Sequence, residues 1–268
     1  MSAKVPYIKK LPKIKRLLVN LLCCFVPSKS LRHEIRDSFF HDIWLERYNM
    51  LLSAVVDENG YGMLEAMMYN ANIKDDHKDI FYGIKDNDVC IDCGANTGLI
   101  TDIILKLGGI CYAFEPSISA FNILTKKYKD SGRVKLMPMA VSDKKGEAVF
   151  YTDGAADAGA TIFTGCHKNK KESYKNKKLA YPVQAIRLVE FINTLLVDND
   201  EIYLLKLDVE GSEFDILADI IKTGSYKKIR YILCETHECY FEELIPKKEH
   251  IRTLLQKENI TNIYLDWV

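Results

Sequence analysis

The chain has 268 residues and contains 37 lysines and arginines against 37 aspartates and glutamates, so its formal net charge is zero. Hydrophobic residues make up 48% of the chain, more than a disordered protein would contain. A protein that binds nucleic acid through phosphate contacts normally has a basic excess, so the balanced charge argues against a nucleic-acid partner. The length suits one sizeable domain with an appendage.

The N-terminal segment is first basic and then apolar. Six lysines and arginines between residues 4 and 16 precede the apolar run 17–26, which is roughly half as long as a membrane-spanning helix must be. Two interpretations stay open: residues 1–36 make a peripheral contact with an anionic membrane surface, or they form a helix that packs on the rest of the chain. Since helical patterns continue further, we predict a helical N-terminal region over 1–80 and one α/β domain over 81–268.

After residue 88 short apolar runs alternate with helical patterns, which is typical of consecutive β-α units. The predicted strands are Val89–Cys93, Ile110–Phe114, Val134–Met139, Ile202–Leu207, Ile229–Cys234 and a short last strand, Ile263–Trp267. Helices are predicted near 97–107, 117–130, 188–197, 212–223 and 247–257. This order predicts an α/β fold with a doubly wound, mostly parallel sheet.

One segment, 147–186, interrupts the alternation. It contains the predicted strands Ala148–Thr152 and Tyr181–Ile186, with a glycine- and alanine-rich turn and six lysines between residues 168 and 178. We interpret it as an inserted hairpin with a mobile loop. The lysines either recognise an anionic acceptor molecule or only solvate the loop.

The first strand ends in an acid and a glycine-rich turn, Asp92-Cys93-Gly94-Ala95-Asn96-Thr97-Gly98. Glycines permit a ligand to lie against the backbone, and the following helix offers free N–H groups. The spacing is not the G-x-G-x-x-G of a dinucleotide site. It places the Asp92 carboxylate where a cationic amino group would sit, which suits S-adenosylmethionine.

Three further strands end in polar clusters. Glu115 and Pro116 follow the second strand, where a carboxylate can accept both ribose hydroxyls. Residues 206–213 read Lys-Leu-Asp-Val-Glu-Gly-Ser-Glu, and 235–237 read Glu-Thr-His. Lys206 lies inside an apolar strand and therefore needs a carboxylate partner, either Asp208 or Glu235. Because ligands bind at the carboxyl ends of parallel strands, we expect the clusters to meet in one cleft.

Residues 92–98, 114–116, 140–143, 206–213 and 235–237 together resemble the motifs of the FkbM family of S-adenosylmethionine-dependent methyltransferases. The resemblance implies a class I methyltransferase fold and O-methylation, commonly of sugars or other natural-product hydroxyls. The cofactor residues that follow from this interpretation are Asp92, Gly94, Ala95, Asn96, Gly98, Glu115, Pro116, Ala140, Val141 and Asp208. The segment 24–36 is also similar to the start of bacterial surface-polysaccharide enzymes, which predicts a role in polysaccharide biosynthesis.

Transfer of a methyl group to a hydroxyl requires alignment and removal of a proton. We expect His237 to be the general base, assisted by Asp208 and Glu210, with Lys206 and Glu235 near the substrate. His237 could instead only hydrogen-bond its loop. Asp208, Glu210 and His237 could also hold a divalent cation such as Mg²⁺.

Alternative functions remain at this point. The chain could methylate protein or RNA, or it could be a catalytically silent module that uses a cofactor fold for binding. We favour a small-molecule or glycan acceptor. Free thiols such as Cys90 and Cys93, in an apolar strand, indicate a cytoplasmic protein. The sequence does not decide whether the protein lies peripherally on the inner face of the membrane, or whether it forms an oligomer.

Overall fold

The computed structural model describes residues 61–153, 159–163, 179–239, 241–265 and 267. The predicted membrane-contact segment 1–36 and the lysine run 168–178 therefore lie outside the described residues. So do residues 1–60 of the predicted helical region, and its boundary at residue 80 stays a prediction.

A six-stranded parallel sheet forms the centre of the domain. Its strands are β1 (Val89–Cys93), β2 (Ile110–Phe114), β3 (Val134–Met137), β7 (Ile202–Leu207), β8 (Ile229–Cys234) and β9 (Ile263–Tyr264), in the order β3-β2-β1-β7-β8-β9. All residues of β1 and β7 are buried, as expected of parallel strands that are covered on both faces. The order reverses between β1 and β7, so the predicted doubly wound fold is confirmed.

Helices cover both faces of the sheet. They are α1 (Tyr61–Asn70), α2 (Lys78–Tyr82), α3 (Leu99–Lys106), α4 (Ile118–Lys127), α5 (Leu188–Leu195), α6 (Glu213–Thr223) and α7 (Ile245–Lys257). Apolar side chains of α5, α6 and α7 pack on β1, β7 and β8 in one large core. Helix α3 covers the opposite face, where its Thr101 contacts β1 and β2. No helix among the described residues is long and apolar enough to cross a membrane.

The predicted strand Val134–Met139 is wrong in one respect, because two strands occupy this stretch. β3 ends at Met137, Pro138 follows, and β4 (Ala140–Ser142) joins a second sheet. Proline lacks the N–H group that would continue the ladder. The last strand is also shorter than predicted, since it ends at Tyr264.

The second sheet has the order β4-β6-β5 and includes the predicted hairpin. β5 (Gly146–Thr152) pairs antiparallel with β6 (Leu179–Arg187), and β4 pairs parallel with β6. The chain enters this small sheet after β3, the edge strand of the main sheet, and leaves it after β6 to form α5. It therefore stands beside the carboxyl ends of the central strands, where the predicted motifs lie.

Candidate functional site

A cleft lies at the carboxyl ends of β1, β2 and β7, the place where open α/β sheets bind their ligands. Of the predicted site residues, those that line it are Gly94, Asn96, Glu115, Pro116, Ala140, Val141, Asp208 and Glu210. Those that do not are Asp92, Ala95, Gly98, Lys206, Glu235 and His237. The structure thus brings the four motifs together but divides their residues between the wall and its support.

The two glycines of the first turn are needed for different physical reasons. Gly94 has a φ of 78°, and a Cβ atom there would lie 1.8 Å from the carbonyl oxygen of Asp208. Gly98 has a φ of 85°, and its Cβ would lie 2.4 Å from the Tyr128 hydroxyl. Gly94 therefore allows the ends of β1 and β7 to approach at the wall of the cleft. Gly98 accommodates a tyrosine rather than a ligand, contrary to our expectation.

Asp92 supports the cleft from below instead of facing it. Its side chain is fully buried, accepts a hydrogen bond from the Thr101 hydroxyl at 2.7 Å, and lies 3.4 Å from the Lys206 ammonium. The expectation that this carboxylate meets a cationic ligand directly is not met, because α3 and Lys206 already occupy its surroundings.

Lys206 is the cation that pairs with the carboxylates beneath the wall of the cleft. Its ammonium lies 3.1 Å from Asp208 and donates to the carbonyl oxygens of Gly94 at 2.7 Å and Cys93 at 3.3 Å. Burial opposes the charged form, but the carboxylates of Asp208 and Asp92 raise the pKa of Lys206 above its usual value. Asp208 was one of the two predicted partners, whereas pairing with Asp92 was not anticipated.

Glu115 is placed at the wall by two backbone bonds. Its carboxylate accepts hydrogen bonds from the N–H groups of Asn96 and Ser117, each at 2.7 Å. Burial raises the pKa of Glu115 to about 7, although these bonds and Lys206 oppose the shift. The side-chain oxygen of Asn96 is buried at the same wall without a hydrogen-bond partner. Such an orphaned acceptor is costly unless a ligand donates to it.

The turn between β7 and α6 is organised by Glu213, which was not among the predicted site residues. The side chain is fully buried and accepts hydrogen bonds from the N–H groups of Val209 at 3.0 Å and Gly211 at 2.8 Å. Between them Glu210 has a φ of 58°, in the left-handed region. The signal in the sequence was a glutamate in the first turn of a helix, directly after a tight turn.

His237 is held between carboxylates. Its Nδ1 lies 2.9 Å from Glu213, and its Nε2 lies 3.4 Å from Glu210 and 3.8 Å from Asp208. Burial by itself would lower the pKa of His237, but the bonds to Glu210 and Glu213 raise it to about 12. Near neutral pH the ring already carries its proton, so these surroundings do not support the predicted role of general base.

The alternative metal site also differs from its prediction. One ligand atom from each of Asp208, Glu235 and His237 lies within 4.8 Å of the others, so Glu235 takes the place expected for Glu210. Mg²⁺ prefers oxygen ligands, whereas this group includes a ring nitrogen of His237. The neighbouring Lys206 ammonium also competes for Asp208. The group therefore does not suit Mg²⁺.

Sequence reasoning missed the part of the wall that the inserted region contributes. Phe150 of β5 and residues 160–162 line the cleft, and Thr161 contacts the turn at Glu210. Nothing in their local sequence marks them as site residues, because their position depends on how the hairpin folds back over the main sheet.

The family model for the methyltransferase FkbM domain matches residues 92–260, which is more than half of the chain. The chain belongs to the FkbM methyltransferase family. This match confirms the resemblance inferred from the five motifs, and the FkbM domain includes every predicted site residue. Membership implies S-adenosylmethionine as the methyl donor.

Similar solved structures include the methyltransferase FkbM from Methylobacillus flagellatus KT, with 12% identity and a TM-score of 0.40 over 83% of this chain and 56% of that chain. The chain of the present structure thus spans just over half the length of the Methylobacillus protein. Another match is a protein described as a candidate rRNA-methylase from Clostridium thermocellum, with 25% identity and a TM-score of 0.22 over 24% of this chain and 38% of that chain. No curated protein matches the sequence.

Proposed function

We propose that this FkbM domain binds S-adenosylmethionine in the cleft and methylates a hydroxyl group of a sugar, glycan precursor or related small molecule in bacterial surface-polysaccharide biosynthesis. The observation that carries the proposal is the wall of the cleft at the ends of β1, β2 and β7. There Gly94, Asn96 and Glu115 line the cleft together with Asp208 and Glu210.

Several wall residues fit the cofactor. The orphaned side-chain oxygen of Asn96 can accept a hydrogen bond from an amino group, and Glu115 can accept bonds from ribose hydroxyls through its remaining lone pairs. Ala140 and Val141 offer apolar contact to an adenine ring. When bound, S-adenosylmethionine supplies an electrophilic methyl group on a positively charged sulfur. The carboxylates of the wall favour that charge.

The acceptor side is formed by Asp208 and Glu210. Their carboxylates line the cleft and can hydrogen-bond the hydroxyl groups of a sugar, which aligns one of them for in-line attack. Burial raises the pKa of Glu210, so it accepts a proton more readily than an ordinary glutamate. In this proposal Glu210 takes the hydroxyl proton, and the adjacent His237 imidazolium orients its carboxylate.

The cofactor assignment is tested by titrating S-adenosylmethionine into the purified chain in a calorimeter. Glu115→Gln should weaken binding by roughly ten- to a hundredfold, since hydrogen bonds to a charged group contribute about 1.5–3 kcal/mol. Glu147→Gln, a change at an exposed glutamate of β5, is the matched control. Equal affinity of the wild type and Glu115→Gln would disprove the role of Glu115.

The acceptor is tested with an extract from a strain that lacks the gene. Incubation with the enzyme and isotopically labelled S-adenosylmethionine should place the label in the glycan fraction, as an O-methyl sugar that mass spectrometry identifies. Label in the protein or RNA fraction would contradict the proposed acceptor class. Binding of S-adenosylmethionine without any transfer would identify a silent module.

Dependence on a metal is tested in the same assay. Because Lys206 and His237 each already pair with carboxylates of this group, we expect methyl transfer to keep its full rate in a chelator. A rate that is lost with chelator and restored by Mg²⁺ would show that this assessment of the site is wrong.

A further inference from the structure

Thr161 connects the inserted hairpin to the turn between β7 and α6. Its backbone forms a two-way bridge with Tyr151 of β5, with N–H···O distances of 2.8 and 3.0 Å. Its side chain is almost fully buried, and its hydroxyl donates to the carbonyl oxygen of Glu210 at 2.6 Å. The same hydroxyl accepts a bond from the N–H of Phe163 at 2.8 Å. The hydroxyl therefore donates one hydrogen bond and accepts another.

The peptide that Thr161 contacts has an unusual conformation. Glu210 has a φ of 58° although it is not glycine, and such a residue keeps this conformation only where its surroundings impose it. Glu213 binds the N–H groups on either side, at Val209 and Gly211. Those bonds do not reach the carbonyl of Glu210 itself, and the Thr161 hydroxyl donates a hydrogen bond to it.

A second contact limits the turn in the same place. The ring of Phe163 lies so close to Gly211 that a Cβ atom there would approach it to 2.7 Å. The ring also packs edge-on against Phe241, with 5.2 Å between the centroids. The segment 159–163 therefore follows the surface of the turn closely and cannot shift without moving Glu210.

We propose that Thr161 is a positioning residue for methyl transfer, which fixes the Glu210 peptide so that its carboxylate faces both the acceptor and His237. This inference rests on the proposed function, because it concerns the step in which Glu210 takes the hydroxyl proton. It also assigns the inserted hairpin a role: the hairpin supplies one side of the acceptor site.

The hydroxyl of Thr161 acts on Glu210, while the groups assigned to the cofactor are held by other bonds. Glu115 is fixed by the N–H groups of Asn96 and Ser117, whereas the bonds of Thr161 go to Tyr151, Glu210 and Phe163. Loss of the hydroxyl should therefore reduce turnover and leave the affinity for S-adenosylmethionine unchanged. A purely structural role would reduce both.

The experiment compares Thr161→Val, which keeps the shape but not the donor, with Thr161→Ser, which keeps the donor. Thr194→Val is the matched control, because Thr194 donates a similar bond to a backbone carbonyl, that of Glu190, on α5. The acceptor probe is the extract from the strain that lacks the gene, with S-adenosylmethionine varied to separate maximal rate from KM. Calorimetry gives the dissociation constant of S-adenosylmethionine for each variant.

We expect Thr161→Val to lower the maximal rate by about tenfold or more, since small misplacements of a reacting group have effects of this size. Its KM and dissociation constant for S-adenosylmethionine should stay within about twofold of the wild type. Thr161→Ser and Thr194→Val should match the wild type in all three quantities. An unchanged rate in Thr161→Val, an equal loss in Thr161→Ser, or a parallel loss of rate and affinity would overturn the inference.

A crystal structure of Thr161→Val gives a readout that does not depend on activity. We expect the Glu210 carboxylate to move away from His237, or the Glu210 backbone to leave the left-handed region. An unchanged Glu210 would also overturn the inference. Should the valine variant fail to fold, Thr161→Ala replaces it under the same criteria. A wild-type enzyme that binds S-adenosylmethionine but labels no glycan refutes the proposed function instead, and the crystal structure then decides the role of Thr161 separately.

Discussion

Lys206 offers the sharpest test of how the site is stabilised. Its side chain is 4% exposed, and its ammonium stands 3.4 Å from Asp92, which is fully buried, and 3.1 Å from Asp208. Substitution by methionine keeps most of the volume but removes the charge. The Asp92 carboxylate then remains buried without a cation, and the carbonyl oxygens of Gly94 and Cys93 lose a donor.

The expected loss of stability is large because the substitution removes only one partner of a buried ion pair. Removing one partner of a buried ion pair typically costs about 3–5 kcal/mol, a substantial part of the roughly 5–15 kcal/mol that stabilises a domain. The double variant Asp92→Asn/Lys206→Met removes both charges. It should recover much of the loss, since two neutral groups carry a far smaller desolvation penalty.

The measurement is urea denaturation followed by circular dichroism. Lys222→Met, at an exposed position of α6, is the matched control. We expect Lys206→Met to lower the free energy of unfolding by about 3 kcal/mol or more relative to this control. A difference below about 1 kcal/mol, the usual size for a surface ion pair, would refute the reasoning that Lys206 compensates a buried carboxylate.

Three further predictions concern single groups. Burial raises the pKa of Glu115 to about 7 from its ordinary 4.5, so the folded chain binds this proton more tightly than the unfolded chain. The free energy of unfolding should therefore fall as the pH rises between these values. In urea titrations Glu115→Gln should lack this pH dependence, and an identical pH dependence in the variant and the wild type would contradict the prediction. Gly98→Ala places a Cβ atom 2.4 Å from the Tyr128 hydroxyl at a φ of 85°. The thermal unfolding midpoint of this variant should therefore fall clearly below that of the wild type. An unchanged midpoint would show that Tyr128 does not pack against Gly98. Glu213→Gln removes a carboxylate from His237, so the pKa of the ring, followed by NMR, should fall from about 12; an unaltered pKa would mean that Glu213 does not hold the imidazolium.

The amino-acid sequence by itself determined the central sheet and the location of the site. β1, β2, β7 and β8 have the predicted bounds, because strands buried on both faces of a parallel sheet appear as continuous apolar runs. The acids and glycines that follow these runs had to meet at one edge of the sheet, since parallel strands end on the same side. That local information was sufficient to recognise the FkbM motifs.

The tertiary structure decided what each residue does at that edge. Whether Asp92 faces a ligand or Lys206, and whether His237 is neutral or charged, depends on burial and on charges that lie far away in the chain. The contact between Thr161 and Glu210 joins residues 49 positions apart and has no local signal. Pairings of this kind arise only when the hairpin and the main sheet pack together, because hydrogen bonding and desolvation act between neighbours in space.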